Sequence, residues 1–169
     1  MIDLKLGDCL ERMKEIESGS VDAVICDPPY GTTACKWDSV IDFKLMWEQL
    51  NRIIKKNGAI VLFGSEPFSS ALRMSNIKNY KYDWKWNKKA GGNPLNAKRQ
   101  PLKIYEDIIV FNKHNYYPIK EIRGRARKKG GIKKQPELTG KVDLNYFTVN
   151  NEYYPTAIIE ISNASRKNK

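Results

Sequence analysis

The sequence predicts an α/β protein organised around a doubly wound, mostly parallel sheet, and three observations predict it. Short apolar runs alternate with helical patterns through the first half of the chain. The later runs are nearly continuous rather than alternating, as in strands covered on both faces. Polar residues gather where those runs stop, and open α/β sheets bind ligands beyond the carboxyl ends of their strands.

Ile2 to Leu6 is the first expected strand. Asp8 then suits an N-cap, with Leu10, Met13 and Ile16 at helical spacing behind it. Val21 to Cys26 is the second strand. Phe43, Met46, Trp47, Leu50, Ile53 and Ile54 follow Asp42 as a second helix, with Gly58 expected to close it. Ala59 to Phe63 and Ile108 to Phe111 complete the strands. Asp8, Asp27 and Gly64-Ser65-Glu66 are thereby expected at strand ends along one edge of the sheet.

From Tyr80 the period changes: Tyr80, Tyr82, Trp84 and Trp86 alternate with Lys81, Asp83 and Lys85, the pattern of a half-buried strand. Its aromatic face either packs on a helix or offers bases a stacking platform. The segment "KEIRGRARKKGGIKKQ", Lys120 to Gln135, reads as a mobile basic loop, either solvated or neutralising phosphates.

With 169 residues, 41% of them hydrophobic, the chain can bury one ordinary core. Thirty Lys and Arg against 19 Asp and Glu give a net charge of +11, which points to a polyanionic partner, nucleic acid first. Cys9, Cys26 and Cys35 match no zinc spacing and His114 is the single histidine, so no metal and no disulfide framework is expected. No signal-like or membrane-length apolar run is present, and a reducing cytoplasm fits best.

The stretch "VDAVICDPPYGTTACKWD" runs a strand into Asp27, Pro28, Pro29 and Tyr30. An ordinary turn could use Asp-Pro. A reaction at the exocyclic amine of a nucleobase would use more of it. The amine lone pair is delocalised into the ring, and two acceptors on its hydrogens would draw the nitrogen toward tetrahedral geometry and stabilise the growing positive charge. Asp27 supplies a carboxylate, Pro28 a carbonyl from a stiff donor-free segment, and Tyr30 a ring to stack on a base taken out of the duplex.

These residues resemble the catalytic motif of the amino-group DNA methyltransferases, which use S-adenosylmethionine. "LGDCLERMKEI", "GSVDAVICDPPYGTTACKWD", "MWEQLNRIIKKNGAIVLFGSEPF" and "NAKRQPLKIYEDIIVFNK" resemble, in order, blocks of the phage and bacterial members that carry this motif near the N-terminus. The resemblance covers about residues 2–113. It implies a Rossmann-like sheet. It assigns catalysis to Asp27, Pro28, Pro29 and Tyr30, and places Asp8, Cys9 and Asp27 near the cofactor. The acidic motif is more usual in adenine-N6 enzymes, and serine at that place in cytosine-N4 enzymes. Double-stranded DNA is the implied substrate, with Lys98, Arg99, Arg123, Arg125, Arg127, Lys128 and Lys129 as expected contacts.

Two departures stand out. Tyr105 occupies a place where relatives often have histidine. The Phe-x-Gly-x-Gly turn that holds the methionine part of the cofactor is absent from the sequence, and "EYYPTAIIEISNASRKNK" resembles what normally precedes it. The expectation is therefore an incomplete methyltransferase: residues 1–119 as a partial catalytic core and 120–169 as a basic recognition loop and C-terminal segment. A second chain or a homo-oligomer would complete the cofactor site. The alternatives are a catalytically inactive DNA-binding remnant, or a related enzyme acting on RNA or glutamine.

Overall fold

The computed structural model describes residues 2–92, 94–130 and 147–162. The chain divides into two compact units, Met1–Asn115 with Ala157–Lys169, and Tyr116–Thr156. The chain leaves the first unit after Asn115 and returns at Ala157, whereas the sequence places a single boundary at 119/120.

The first unit holds a five-stranded sheet in the order β1-β2-β4-β3-β7. Its strands are β1 (Val21–Cys26), β2 (Ile54–Gly64), β3 (Tyr80–Asn87), β4 (Tyr105–Phe111) and β7 (Ile158–Glu160). β1 and β2 are parallel, as are β3 and β7, while β4 runs antiparallel to both β2 and β3. Four strands thus share one direction, the mostly parallel arrangement expected, and β4 alone is reversed. The continuous apolar run Ile108–Phe111 suggested a parallel strand, but central burial produces that run in either direction.

Helix α2 (Phe43–Ile53) begins at Asp42, whose carboxylate accepts from the Leu45 amide at 3.0 Å. Its buried stripe of Met46, Trp47, Leu50 and Ile53 packs with Ile60 and Leu62 of β2 and Ile109 and Phe111 of β4. Helix α3 (Phe68–Ser75) adds Phe68 and Leu72 to the same core, and Trp47 Nε1 donates to Ser75 Oγ at 2.7 Å to join the two helices. Leu72 is fully buried, so Leu72→Ala would cost about 2–5 kcal/mol. The short helix α1 (Cys9–Met13) is tied to α2 by Arg52, whose guanidinium donates to the Met13 and Ile16 carbonyls at 2.6 and 2.8 Å. A cation is favourable at a helix C-terminus, where carbonyls lack partners.

Several expectations are corrected. Residues 2–6 form no strand: Ile2, Leu4 and Leu6 are exposed, and no described strand pairs with them. Asp8 therefore follows no strand, and instead caps α1 by accepting from the Leu10 amide at 2.7 Å. β1 is not covered on both faces; it is an edge strand, largely exposed. Gly58 does not close α2, which ends at Ile53, but lies in β2. A Cβ there would stand 2.6 Å from the Asp22 carbonyl oxygen, so glycine lets β1 and β2 approach.

The second unit contains β5 (Glu121–Gly130) and β6 (Phe147–Tyr153), paired antiparallel. Residues 120–135 were expected to be a mobile loop; 121–130 form a strand instead. A charged run conceals a strand whose order comes from its partner rather than from an apolar face. Residues 131–135 of that segment lie outside the described residues.

Candidate active site

β1 delivers Asp27 to the carboxyl end of the sheet, and the chain then turns through Pro28, buried, and Pro29 and Tyr30, both half-buried. Asp27 itself is exposed. These four line a cleft of about 260 Å³ together with Thr32, Thr33, Trp37 and Asp38. Tyr30 Oη donates to Asp27 Oδ1 at 2.5 Å. The Tyr30 ring stacks on Phe68 of α3, with centroids 5.1 Å apart and planes 27° apart. Burial pushes the phenol well above its ordinary value, and the bond to Asp27 and that group's charge push it further.

Asp38 fixes the turn after the motif. Buried at 8% exposure, it accepts from the backbone amides of Gly31 at 2.9 Å through Oδ1, and of Thr32 and Thr33 at 2.9 and 2.7 Å through Oδ2. Successive amides converging on one carboxylate form an anion nest. Gly31 has φ +69°, a left-handed conformation suited to glycine, and a Cβ there would meet Val40 Cγ2 at 2.8 Å. Hydrogen bonding from the Thr33 side chain, and then from the three amides against the cost of burial, holds the Asp38 pKa down to about 2.

Thr32 also lines a second cleft of about 400 Å³, whose wall includes Ser65, Glu66, Lys88, Lys103, Tyr105 and Glu106. Lys103 donates to Ser65 Oγ at 2.5 Å, and Lys88 pairs with Glu106. Glu66 accepts from the Ser70 amide at 3.1 Å in the first turn of α3 and pairs with Arg73. Arg73 reaches on to Asp83 at 2.7 Å and to the fully buried Asp107 at 3.3 Å, and Lys85 contacts both acids. Burial pushes the Asp107 carboxyl up, but the Lys85 bond and neighbouring cations outweigh it and leave the group below its ordinary value. This network ties α3, and with it Phe68, to β3 and β4.

The cofactor candidates Asp8 and Cys9 lie at the start of α1 and outside both clefts. Partial burial raises the Cys26 thiol, and the charges of Cys9 and Asp27 raise it further. Lys98 and Arg99 are exposed on the turn after the 3₁₀ segment Pro94–Asn96, and Asn96 and Gln100 on either side line the larger cleft. Arg123, Arg125, Arg127, Lys128 and Lys129 all belong to β5 in the second unit. The aromatic face of β3 packs within its own unit: Trp86 meets Phe63 at 6.2 Å and Tyr82 meets Trp84 at 5.0 Å. Asp38 and Phe68 escaped the sequence reading. The only local signal for Asp38 was its closeness to the motif, and for Phe68 its place at the end of the strand–Gly-Ser-Glu-Pro run.

A family model for DNA methylases of the N6/N4 type matches residues 21–169. Among solved structures, the fold is similar to that of the PvuII DNA methyltransferase, described as cytosine-N4-specific. The identity is 14%, the TM-score 0.55, and the match covers 95% of this chain and 57% of that one. It is also similar to M1.HpyAVI in a complex with SAM, at 21% identity and a TM-score of 0.52, over 74% of this chain and 62% of that one. The chain spans less than two thirds of the length of either. With a turn from strand to Asp-Pro-Pro-Tyr at the sheet's carboxyl edge, and the family match running from the first residue of that strand, the chain belongs to the N6/N4 DNA methylase family.

Proposed function

We propose that this site methylates the exocyclic amine of a base drawn out of double-stranded DNA, adenine N6 in preference to cytosine N4. The observation that carries the proposal is Asp27, an exposed carboxylate at the end of β1, set in a cleft beside the buried Pro28 and the ring of Tyr30. Asp27 and the Pro28 carbonyl accept the amine hydrogens and hold the nitrogen lone pair toward the incoming methyl group. Tyr30, backed by Phe68, presents an aromatic surface in the same cleft. Asp38 keeps the turn folded so that these groups do not reorganise when the base arrives. The preference for adenine rests on the acidic first residue of the motif, and the similarity to a cytosine-N4-specific enzyme makes cytosine the competing base.

S-adenosylmethionine, which supplies an activated methyl group when bound, is the cofactor we assign. The residues present suit part of it: Asp8 and Cys9 open α1, Asp27 follows β1, and the two carboxylates are acceptors for amine and hydroxyl hydrogens. β1 is the edge of its sheet and Ile25 on it is 73% exposed. That flank is where a further strand carrying a glycine-rich turn would pair, and we assign the methionine part of the pocket to such a strand. Lys98, Arg99 and the basic strand β5 contact the DNA.

The test is methyl transfer from labelled S-adenosylmethionine to duplex DNA, by the chain mixed with a polypeptide bearing the glycine-rich element, followed by nucleoside analysis. N6-methyladenine is expected; N4-methylcytosine would overturn the base assignment. Cofactor binding with no product would favour the alternative, a subunit that binds DNA without chemistry. Calorimetry on the chain alone should show weak or no cofactor binding, since each 1.4 kcal/mol of missing contact costs about tenfold. Tight binding there would remove the need for a completing strand.

A further inference from the structure

The second unit sorts the five cations of β5 into two kinds. Arg123 donates to Glu121 Oε2 through Nε at 2.8 Å, and its guanidinium lies 5.4 Å from the centre of the Tyr153 ring. Lys128 sits 4.2 Å from the centre of Phe147, and Lys129 sits 3.5 Å from that of Tyr153 while bonding the Glu152 carbonyl. These three are engaged within the hairpin. Arg125 and Arg127 are exposed and have no side-chain partner among the described residues.

The strand register places Arg125 and Arg127 at an irregularity of the hairpin. Ile122 pairs with Glu152 and Arg127 with Asn150, so the residues from Arg123 to Ala126 all face the single Asn151. Extra residues on one strand are bent out of the ladder as a bulge. Gly124, at φ +56° and with nothing near its missing Cβ, is there for its backbone conformation rather than for space. Asn151 Nδ2 donates to the Gly124 carbonyl at 3.0 Å and pins the bulge across the strands. Arg125 stands in the bulge, and Arg127 at the first pair beyond it.

We propose that Arg125 and Arg127 are the base-reading pair of this hairpin, recognising guanine in the major groove of double-stranded DNA, and that Asn151 positions them. The inference rests on the DNA methyltransferase reading for its substrate class. A two-stranded ribbon fits the major groove, and the guanidinium fork matches the O6 and N7 acceptors of guanine. A cation already held over a ring contributes field and phosphate contact but not a base pattern. The described acids of this ribbon, Glu121 and Glu152, are paired with Arg123 and Lys120, so neither of them competes with DNA for the guanidiniums of Arg125 and Arg127.

The experiment selects duplexes from a randomised pool with the full chain and sequences the bound fraction. The wild-type chain should enrich a guanine at one or two fixed positions. Arg125→Lys and Arg127→Lys keep the charge but lose the fork. Each should retain binding to unselected duplex and its salt dependence while losing about tenfold to a hundredfold of the preference for guanine. Asn151→Ala should weaken the preference at both positions with the same salt slope. Replacing the selected guanine by 7-deazaguanine, which removes N7 and needs no protein variant, should weaken the wild-type chain more than the corresponding lysine variant, which has no fork to lose. Lysine variants that keep the full guanine preference, or enrichment without guanine, overturn this inference alone. A chain that binds no duplex at low salt overturns it together with the DNA reading.

Discussion

Replacing Tyr30 by phenylalanine separates the two contacts its side chain makes. The hydroxyl bond to Asp27 is charge-assisted, a class worth about 1.5–3 kcal/mol. Asp27 is exposed and water competes for it, so about 1 kcal/mol is expected here. The stack on Phe68 contributes about 0.5–1.5 kcal/mol beyond the area the ring buries. Truncation to alanine removes both contacts and the half-buried ring, for a total of about 3 kcal/mol. Urea denaturation of the chain should therefore rank Tyr30→Phe about 1 kcal/mol and Tyr30→Ala about 3 kcal/mol below the wild type. The hydroxyl also occupies a carboxylate oxygen that an incoming amine would use. The phenylalanine variant should thus capture a target base as well as the wild type or up to about fivefold better, read as 2-aminopurine fluorescence in a labelled duplex. A phenylalanine variant as unstable as the alanine variant would refute the view that ring packing anchors the motif.

Asp27→Ala should abolish methyl transfer in the completed assembly, by about a hundredfold to a thousandfold, while DNA affinity stays within a few-fold, because the change removes only stabilisation of charge developed in transfer; full residual activity in a filter assay would contradict it. Asp38 is held at about pH 2, below the ordinary carboxyl value of about 3.9, so it stabilises the fold above that value and loses the contribution as pH falls from about 4 to about 2. Asp38→Asn should then be less stable than the wild type at pH 7, with the difference closing by about pH 2 in circular dichroism melts; a difference constant across that window would show that the carboxylate charge is not what holds the turn.

The central strands and the turn at Asp27 were legible because each carries its reason locally. Val21–Cys26 is an apolar run stopped by an acid and two prolines, and α2 shows its buried stripe at helical spacing after a capping Asp42. Other features depend on partners far along the chain. Asp38 looks like any surface aspartate until the amides of Gly31, Thr32 and Thr33 are folded onto it. Gly58 reads as a helix stop, yet its reason is the Asp22 carbonyl of a neighbouring strand. Ile2–Leu6 has strand composition but no described neighbour to complete a ladder. In β5 the alternation that would announce a strand is replaced by charge, so its order came into view only through β6.

The route of the chain through the first unit has a further consequence. After β4 the chain departs at Asn115, makes the whole second unit, and re-enters at Ala157 to lay β7 beside β3. The rejoining is specific: the Lys85 amide donates to the Ala157 carbonyl at 2.8 Å, and Trp86 Nε1 to the Ile161 carbonyl at 2.8 Å. Everything between those points is a parenthesis in the sheet. The strands β2, β4 and β3 pair with one another through residues that all lie outside it. On the function proposed above, the preference of the second unit can drift or be replaced while the residues around Asp27 stay constant, so two proteins of this design can share a reaction and differ in the molecule they choose.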